Sequence, residues 1–485
     1  IEARPDGFEL NQQGPAMRVQ TTGVLPLTVT DNADLGAQWK AYQSAPPVVR
    51  VIDQKLERML EPNVPVRIAA VWHGSADGKV AEWSLDRRPN GFLVSTGKHQ
   101  YTIQFDASGN AGVKMVASRS VSPRKTAVEV KRTLPAAPAR VAWTQNVKGD
   151  NEPAHLTRVV PLKNQATLAV GAAKGKAGRV LLLDAATGKE KAAFDVAGPV
   201  NDLVAVEING RESLVLACRD GHVRAVSLKG EPIWDVKIEF YRLFPDLWKV
   251  RLADLDNDGQ PEIIIGCDNW RTYAFDRNGK ELWRYEVIHP VRALEIADID
   301  GNGKPDVLVG TGYMWATVLN EKGEKSWGGR FGFGCRAINA VRNGKGRTCN
   351  VLIGIDSGLL TFHNDRGTEL ARFFTGDEIF MIEPAAEVNG SQDAFVASYN
   401  GFIYRFSADG KRLWSKALSA PALVVRGLPD GGCVAGAEDG TVYRFDKNGK
   451  CLSVNEFDGS ITDLLPQNGA VRVVTSKGVA AAVAL

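Results

Sequence analysis

The sequence has no uninterrupted apolar run of about 18 residues, so nothing in it is long enough to cross a bilayer as a helix. Charge of one sign is also lacking. Its 59 Lys and Arg face 56 Asp and Glu, a net charge of +3. A nucleic-acid partner would want a concentrated basic face, and none is expected here. The six cysteines, Cys218, Cys267, Cys335, Cys349, Cys433 and Cys451, include neither a Cys-x-x-Cys motif nor an adjacent pair. Zinc-ribbon and thioredoxin-like chemistry are thereby unsupported. Cys218 and Cys267 close strand-like runs (VLAC, IIIGC) and suit small buried apolar groups better than disulfides. The chain opens at Ile1 with neither Met nor signal peptide, which is the form expected of a mature or excised protein.

What is there is a repeat. Val250 to Val287 holds four short runs rich in β-branched and aromatic residues, VRLADL, EIIIGC, RTYAFD and ELWRYEV, separated by Asp/Asn/Gly turn signals. Four strands joined by tight turns make one antiparallel sheet. The third-turn glycine returns at Gly188, Gly230, Gly279, Gly323, Gly367, Gly410 and Gly449, a period of about 44 residues typical of a β-propeller. Four residues beyond each glycine stand Ala192, Trp234, Trp283, Trp327, Ala371, Trp414 and Ser453. A Trp there should pack between sheets, and a small residue should leave room for what a neighbour sends across. After Gly449 only three strands remain before Leu485. The missing outer strand is expected from Ala139 to Val147, with Trp143 at the recurrent position, closing the ring and removing free edges. The expectation for 138–485 is therefore an all-β, eight-bladed propeller of four-stranded blades, with seven blades as the fallback.

Residues 1–137 lack the repeat. Glu2 to Gln20 reads as irregular surface, and Leu56 to Leu60 as a short helical turn ended by Pro62. From Val66 onward, VRIAAVWHG, VAEWSL, GFLVSTG, QYTIQFDASG and VKMVASR alternate with hairpin dipeptides, as in a small β-sandwich-like domain. A Pro/Ala linker, Thr133 to Ala139, leads into the propeller. These strands are faintly similar to the β-sandwich of heparinase-type lyases. That similarity implies the tail of a longer enzyme, without its catalytic helices.

Two first-turn loops are more acidic than a turn requires. One carries Asp254, Asp256, Asp258, Gln260 and Glu262, the other Asp298, Asp300, Asn302, Lys304 and Asp306. Side-chain oxygens at positions 1, 3, 5 and 9, a glycine at 6 and a backbone carbonyl from Gln260 or Lys304 would wrap one hard cation. Ca²⁺, with six to eight oxygen ligands, relieves the repulsion between such carboxylates. DLDNDGQPEIIIG and DIDGNGKPDVLVG resemble FG-GAP/VCBS-type repeats, which implies two structural Ca²⁺ sites. YAFDRNGKELW, YRFSADGKRLW and LLDAATGKE are similar to quinoprotein (PQQ)-like propeller repeats. That family's cofactor site uses adjacent cysteines, which are absent, so no PQQ is expected. The remaining first turns lack the acids and should hold no metal.

Propeller topology sets first-to-second and third-to-fourth turns on one face, and second-to-third turns and inter-blade links on the other. The calcium loops thus rigidify the face opposite the links. The link face gathers Tyr241, Arg242, Trp248, Trp270, Arg271, His289, Tyr313, Trp315, Arg330 and Tyr399, with Asn269, Asn400, Phe331 and Phe333 nearby. Aromatic faces stack on sugar rings, while Arg, Asn and His bind hydroxyls or carboxylates. The function this supports is a secreted, periplasmic or cell-surface propeller that binds a polysaccharide or a protein without turning it over. The alternative is a polysaccharide lyase, with His289 and Tyr241 or Tyr313 as proton-transfer groups and Arg242, Arg271 or Arg330 neutralising a uronate.

Overall fold

The computed structural model describes residues 136–147, 154–331, 334–375 and 377–485, together with the strand backbone between Glu2 and Ala117. Two compact units divide just after Arg132. The first contains two antiparallel five-stranded sheets in sequential order, one ending at Glu57–Leu60 and the other running from Arg67–Ala70 to Ala111–Ala117. Glu57–Leu60 is a strand paired with Val49 to Ile52, not the helical turn expected of it. Four residues are too few for a period of 3.6 to be told from one of 2, and the neighbouring strand decides. Much of 2–20 is likewise strand, not irregular surface. Sandwich packing, the heparinase-like similarity and Phe333 all fall outside the described residues.

The second unit is an eight-bladed propeller, each blade a four-stranded antiparallel sheet in sequential order. Blades one to seven span 155–196, 200–237, 247–286, 291–330, 335–374, 379–417 and 422–456. Blade eight joins Ile461–Gln467, Ala470–Thr475 and Val479–Ala484 to Val141–Asn146 as its outer strand, with Trp143 opposite Ala482. Both parts of the chain seal the ring, so no interior edge is left for another strand to pair with. No helix is long and apolar enough to cross a membrane among the described residues.

The core lies in the seams between blades. Val206, Val215, Leu247 and Ile263 join blades two and three, and Ile264, Leu294 and Val307 join three and four. The recurrent Trp pins four seams through its indole N–H, which donates to a turn carbonyl of the next blade: Trp143 to Ala185 at 3.2 Å, Trp234 to Arg277 at 2.8 Å, Trp283 to Glu321 at 3.2 Å and Trp414 to Lys447 at 3.1 Å, whereas the Trp327 N–H meets no acceptor. The ring also lies flat on the turn glycine. A Cβ on Gly279 would stand 2.9 Å from Trp234, so glycine is demanded by close approach as well as by its φ of 80°. Where Ala192 and Ala371 replace the Trp, the filler is not sent from a neighbouring blade, as the sequence suggested. Phe194 and Phe362 of the same blades cover Gly230 and Gly410 instead. Ser453 precedes blade eight, whose outer strand arrives from the other end of the unit, so there is no third turn to cover.

Candidate functional site

The first strand of every blade lines a central bore, and each carries a β-bulge at the same place. The residues skipped by the ladder are Thr157, Asn201, Trp248, Arg292, Arg336, Phe380, Leu423 and Thr462. A bulge re-aims its side chain, and all eight line one cavity of about 1010 Å³. The next residue in each strand forms a second ring, in which Arg158, Asp202, Lys249 and Asp463 are followed round by Ala293, Ala337, Met381 and Val424. In this second ring the charged residues fall on blades eight, one, two and three and the apolar ones on blades four to seven.

Those charges join into a chain. Glu383 meets Arg426 at 3.1 Å, Arg426 meets Asp463 at 2.7 Å, and Asp463 meets Arg158 at 3.4 Å. It continues through Asp202 at 3.4 Å, Arg251 at 2.9 Å and Glu295 at 2.7 Å. Seven blades are tied in sequence, across the closure between blades eight and one. Burial alone would raise the carboxyls of Asp202 and Asp463, but the Arg158 charge, joined by Arg251 and Arg426 respectively, outweighs it and holds both below the ordinary 3.8. Sequence reading missed this ring. Its signal was a charge set inside each otherwise β-branched inner-strand run, as in HLTRVVP, VNDLVAV and ITDLLP.

On the link face, blades three and four carry a connected aromatic and cationic cluster. The Arg271 guanidinium lies 3.6 Å from the Tyr241 ring centre, and Arg242 lies 5.1 Å from Tyr241 and 5.7 Å from Trp270. Trp270 packs on His289 at 4.6 Å, and His289 on Tyr313 at 4.9 Å. Tyr241 also donates to Glu286 at 2.9 Å, and Arg330 Nε donates to Met314 Sδ at 3.0 Å. Burial holds the His289 imidazole below 6.5, favouring its neutral form at pH 7. Trp315 opens the third strand of blade four opposite Arg330. Trp248 turns into the bore, and Tyr399, on blade six, stacks on Phe380 and donates to Glu438 at 3.1 Å. Asn269 and Asn400 are structural, each donating at 2.7 Å to the hydroxyl of a Tyr in its own blade, Tyr273 or Tyr404.

The backbone of this cluster is strained. In blades two to eight the last residue of the second-to-third turn adopts a left-handed φ, and in five of them it is glycine: Gly221 84°, Gly358 84°, Gly401 80°, Gly440 88° and Gly478 78°. Its carbonyl then accepts the N–H that follows the fourth strand, as Gly221 does from Ile238 at 2.9 Å and Gly401 from Leu418 at 2.7 Å. Blades three and four place Trp270 (φ 72°) and Met314 (φ 67°) at this position, keeping the same bond to Val287 and Phe331. His289, at φ 136°, stands two residues before its strand, where Gly198 and Gly459 stand before theirs, and Ile288 beside it has φ 52°. Every other non-glycine at positive φ among the described residues is Asn or Gln.

On the opposite face, Asp254, Asp256 and Glu262 bring carboxylate oxygens within 4.8 Å of one another, as do Asp298, Asp300 and Asp306. Both loops fold alike. Asp254 accepts the N–H of Asp258 at 3.0 Å and of Gly259 at 2.9 Å, while Asp298 accepts Gly301 at 2.9 Å and Gly303 at 3.0 Å. Burial, with Asp300 and Asp298 beside it, pushes Asp306 up to about 6, and Glu262 is raised for the same reasons. Asp258 and Asn302 accept the N–H of Gln260 and Lys304, each at 2.7 Å, and Lys304 Nζ pairs with Glu321 at 3.0 Å. The loops touch: Asn257 donates to Gly303 at 3.3 Å. Three convergent carboxylates per loop fit a hard oxygen-loving cation such as Ca²⁺.

Residues 213–327 match the family model described as the lambda-carrageenase beta-propeller domain. That segment contains both acidic loops and all of the strained cluster except Arg330. No curated protein matches the sequence. Among solved structures, the computationally designed Ika8 protein is 16% identical, with 71% of this chain and 100% of that chain covered and a TM-score of 0.57. Saccharomyces cerevisiae Sqt1 is 13% identical over 72% of this chain and 99% of its own, with a TM-score of 0.60. BamB from Moraxella catarrhalis is 15% identical over 72% and 98%, with a TM-score of 0.54. At these identities the likeness is one of fold. The chain contains an eight-bladed β-propeller related over part of its length to a carrageenase propeller domain.

Proposed function

We propose that this propeller binds an acidic polysaccharide on its link face, with Trp270, His289 and Tyr313 as a stacking platform and Arg242, Arg271 and Arg330 as its anion and hydroxyl contacts. One observation carries the reading: Trp270, His289 and Met314 occupy positions where sister blades use glycine. Left-handed backbone costs a non-glycine residue about 1–2 kcal/mol, and such strain gathers where a side chain has a task beyond folding. The carrageenase propeller match over 213–327 supports a carbohydrate role. Two Ca²⁺ ions, one held by Asp254, Asp256 and Glu262 and one by Asp298, Asp300 and Asp306, would stiffen the far ends of the blades that carry the platform. Open loops of this kind suit the millimolar calcium found outside the cytoplasm, which favours a secreted, periplasmic or cell-surface protein.

The test is affinity electrophoresis of the full chain through gels containing an acidic polysaccharide such as carrageenan or pectate, with neutral dextran as control. Retardation by the acidic gels, lost in Trp270→Ala and weakened in Arg271→Ala, is expected. Equal mobility in all gels would overturn the reading. Release of unsaturated sugar ends, abolished in His289→Ala, would replace it with the lyase.

A further inference from the structure

On the blade-two and blade-three side of the bore, three donor side chains stand without a built acceptor. The carboxylates are already engaged. Asp202 takes Arg158, Arg251 and the N–H groups of Leu203 and Val250, while Asp463 takes Arg158, Arg426 and the N–H of Val159. Both oxygens of Glu295 face Arg251, at 2.7 and 3.0 Å. Three donors on blades two and three are left over. Among the described residues no carboxylate lies within 4.0 Å of the Lys249 ammonium or the Arg219 guanidinium, and the buried Trp248 Nε1 meets no acceptor. All three residues line the same cavity. Two cations lie near the Trp248 ring, Arg219 at 5.6 Å and Arg292, itself paired with Asp268, at 4.9 Å from its centre.

Of the three, Trp248 Nε1 is the buried one, and an unmatched buried donor costs free energy that an acceptor ligand returns; half-buried Lys249 and exposed Arg219 add positive charge. We infer that the blade-two and blade-three side of the bore is an oxyanion site, taking a sulfate or carboxylate group on Arg219, Lys249 and Trp248 Nε1. Burial lowers the Lys249 amine, Asp202 partly restores it, and Arg251 and Arg158 lower it further, so a bound anion would return it toward its ordinary range. Opposite, Ala337, Met381 and Val424 line the same cavity of about 1010 Å³, flanked by Arg336 and Arg426, which leaves room for whatever carries the group. This site stands apart from the platform on blades three and four and does not rest on it.

Thermal melts of the full chain in sodium sulfate, against sodium chloride at equal ionic strength, test it. Sulfate is expected to raise Tm beyond chloride, with the affinity weakened at least about tenfold in Lys249→Met, a lost charge-assisted contact. Arg219→Gln, exposed at the mouth, carries the same expectation if Lys249→Met does not fold. Trp270→Ala should leave the sulfate shift intact, which separates this site from the platform. Competition by an acidic disaccharide would assign the oxyanion to a saccharide, and sulfate binding without competition to a free ion; both support the site. A sulfate shift equal to that of chloride, or unchanged in both variants, would overturn it.

Discussion

Asn455 grips the backbone of Ala139 from both sides: its Oδ1 accepts the Ala139 N–H at 3.1 Å and its Nδ2 donates to the Ala139 carbonyl at 2.9 Å. The residues lie 316 positions apart and sit where the incoming strand enters blade eight. Asn455→Ala removes both bonds and leaves a half-buried peptide to find water, so a loss of about 1–3 kcal/mol is expected. Asn455→Asp, which keeps only the acceptor, should fall between. Urea unfolding followed by Trp fluorescence checks this, since Trp143 reports on the same strand.

The ion chain makes a second, opposite kind of prediction. Asp463→Asn leaves Arg158 and Arg426 without their shared carboxylate and should cost about 3–5 kcal/mol, far more than a surface pair. The folded carboxyls of Asp202 and Asp463 lie below the unfolded value. Their contribution is therefore complete above about pH 4 and lost as pH falls through the folded values. Wild-type stability should drop on that acid limb, and the drop should be shallower in Asp463→Asn. Denaturation midpoints at a series of pH values below 5 measure it.

Strain at Met314 can be read by exchange with a sister blade. Met314→Gly should cost no more than about 1 kcal/mol, because relief of the left-handed backbone offsets lost packing, where truncating a Met commonly costs about 2–5 kcal/mol. The reverse change, Gly221→Met, should be clearly destabilising, since a Cβ there would meet Pro245 at 2.8 Å. Melts of the two variants side by side decide it; equal losses would remove the argument from strain.

Calcium should stabilise the chain by mass action, about 2.7 kcal/mol at a hundredfold excess over Kd. EDTA should lower Tm, Asp256→Ala should remove most of that sensitivity, and Asp256→Ala with Asp300→Ala should remove it all. An EDTA-insensitive melt would count against both loops.

Much of the fold was legible because the repeat writes its own punctuation. Gly279 and Gly323 mark turns, and Trp234 and Trp283 four residues past a turn mark the seams. The count of eight, with seven as the fallback, and closure through Trp143 come from that spacing together with the three strands left after Gly449. The bore was not legible, because its pairs join residues in different blades, Arg251 to Glu295 or Arg158 to Asp463, that no local pattern connects. The bulge that turns Trp248 inward was also hidden: a single skipped ladder position changes which way a side chain points without changing the strand's composition. Trp270 was picked as an aromatic. That it stands in a glycine's place becomes visible only when the second-to-third turns are laid over one another.

Hydrogen–deuterium exchange on the full chain, with and without an acidic polysaccharide, tests the central claim most directly. Protection is expected in the link 239–246, at 268–271, at 287–290 and at 312–315, with no change across 254–262 or 298–306. Protection confined to the acidic-loop face, with the Trp270 and His289 segments unchanged, would contradict it.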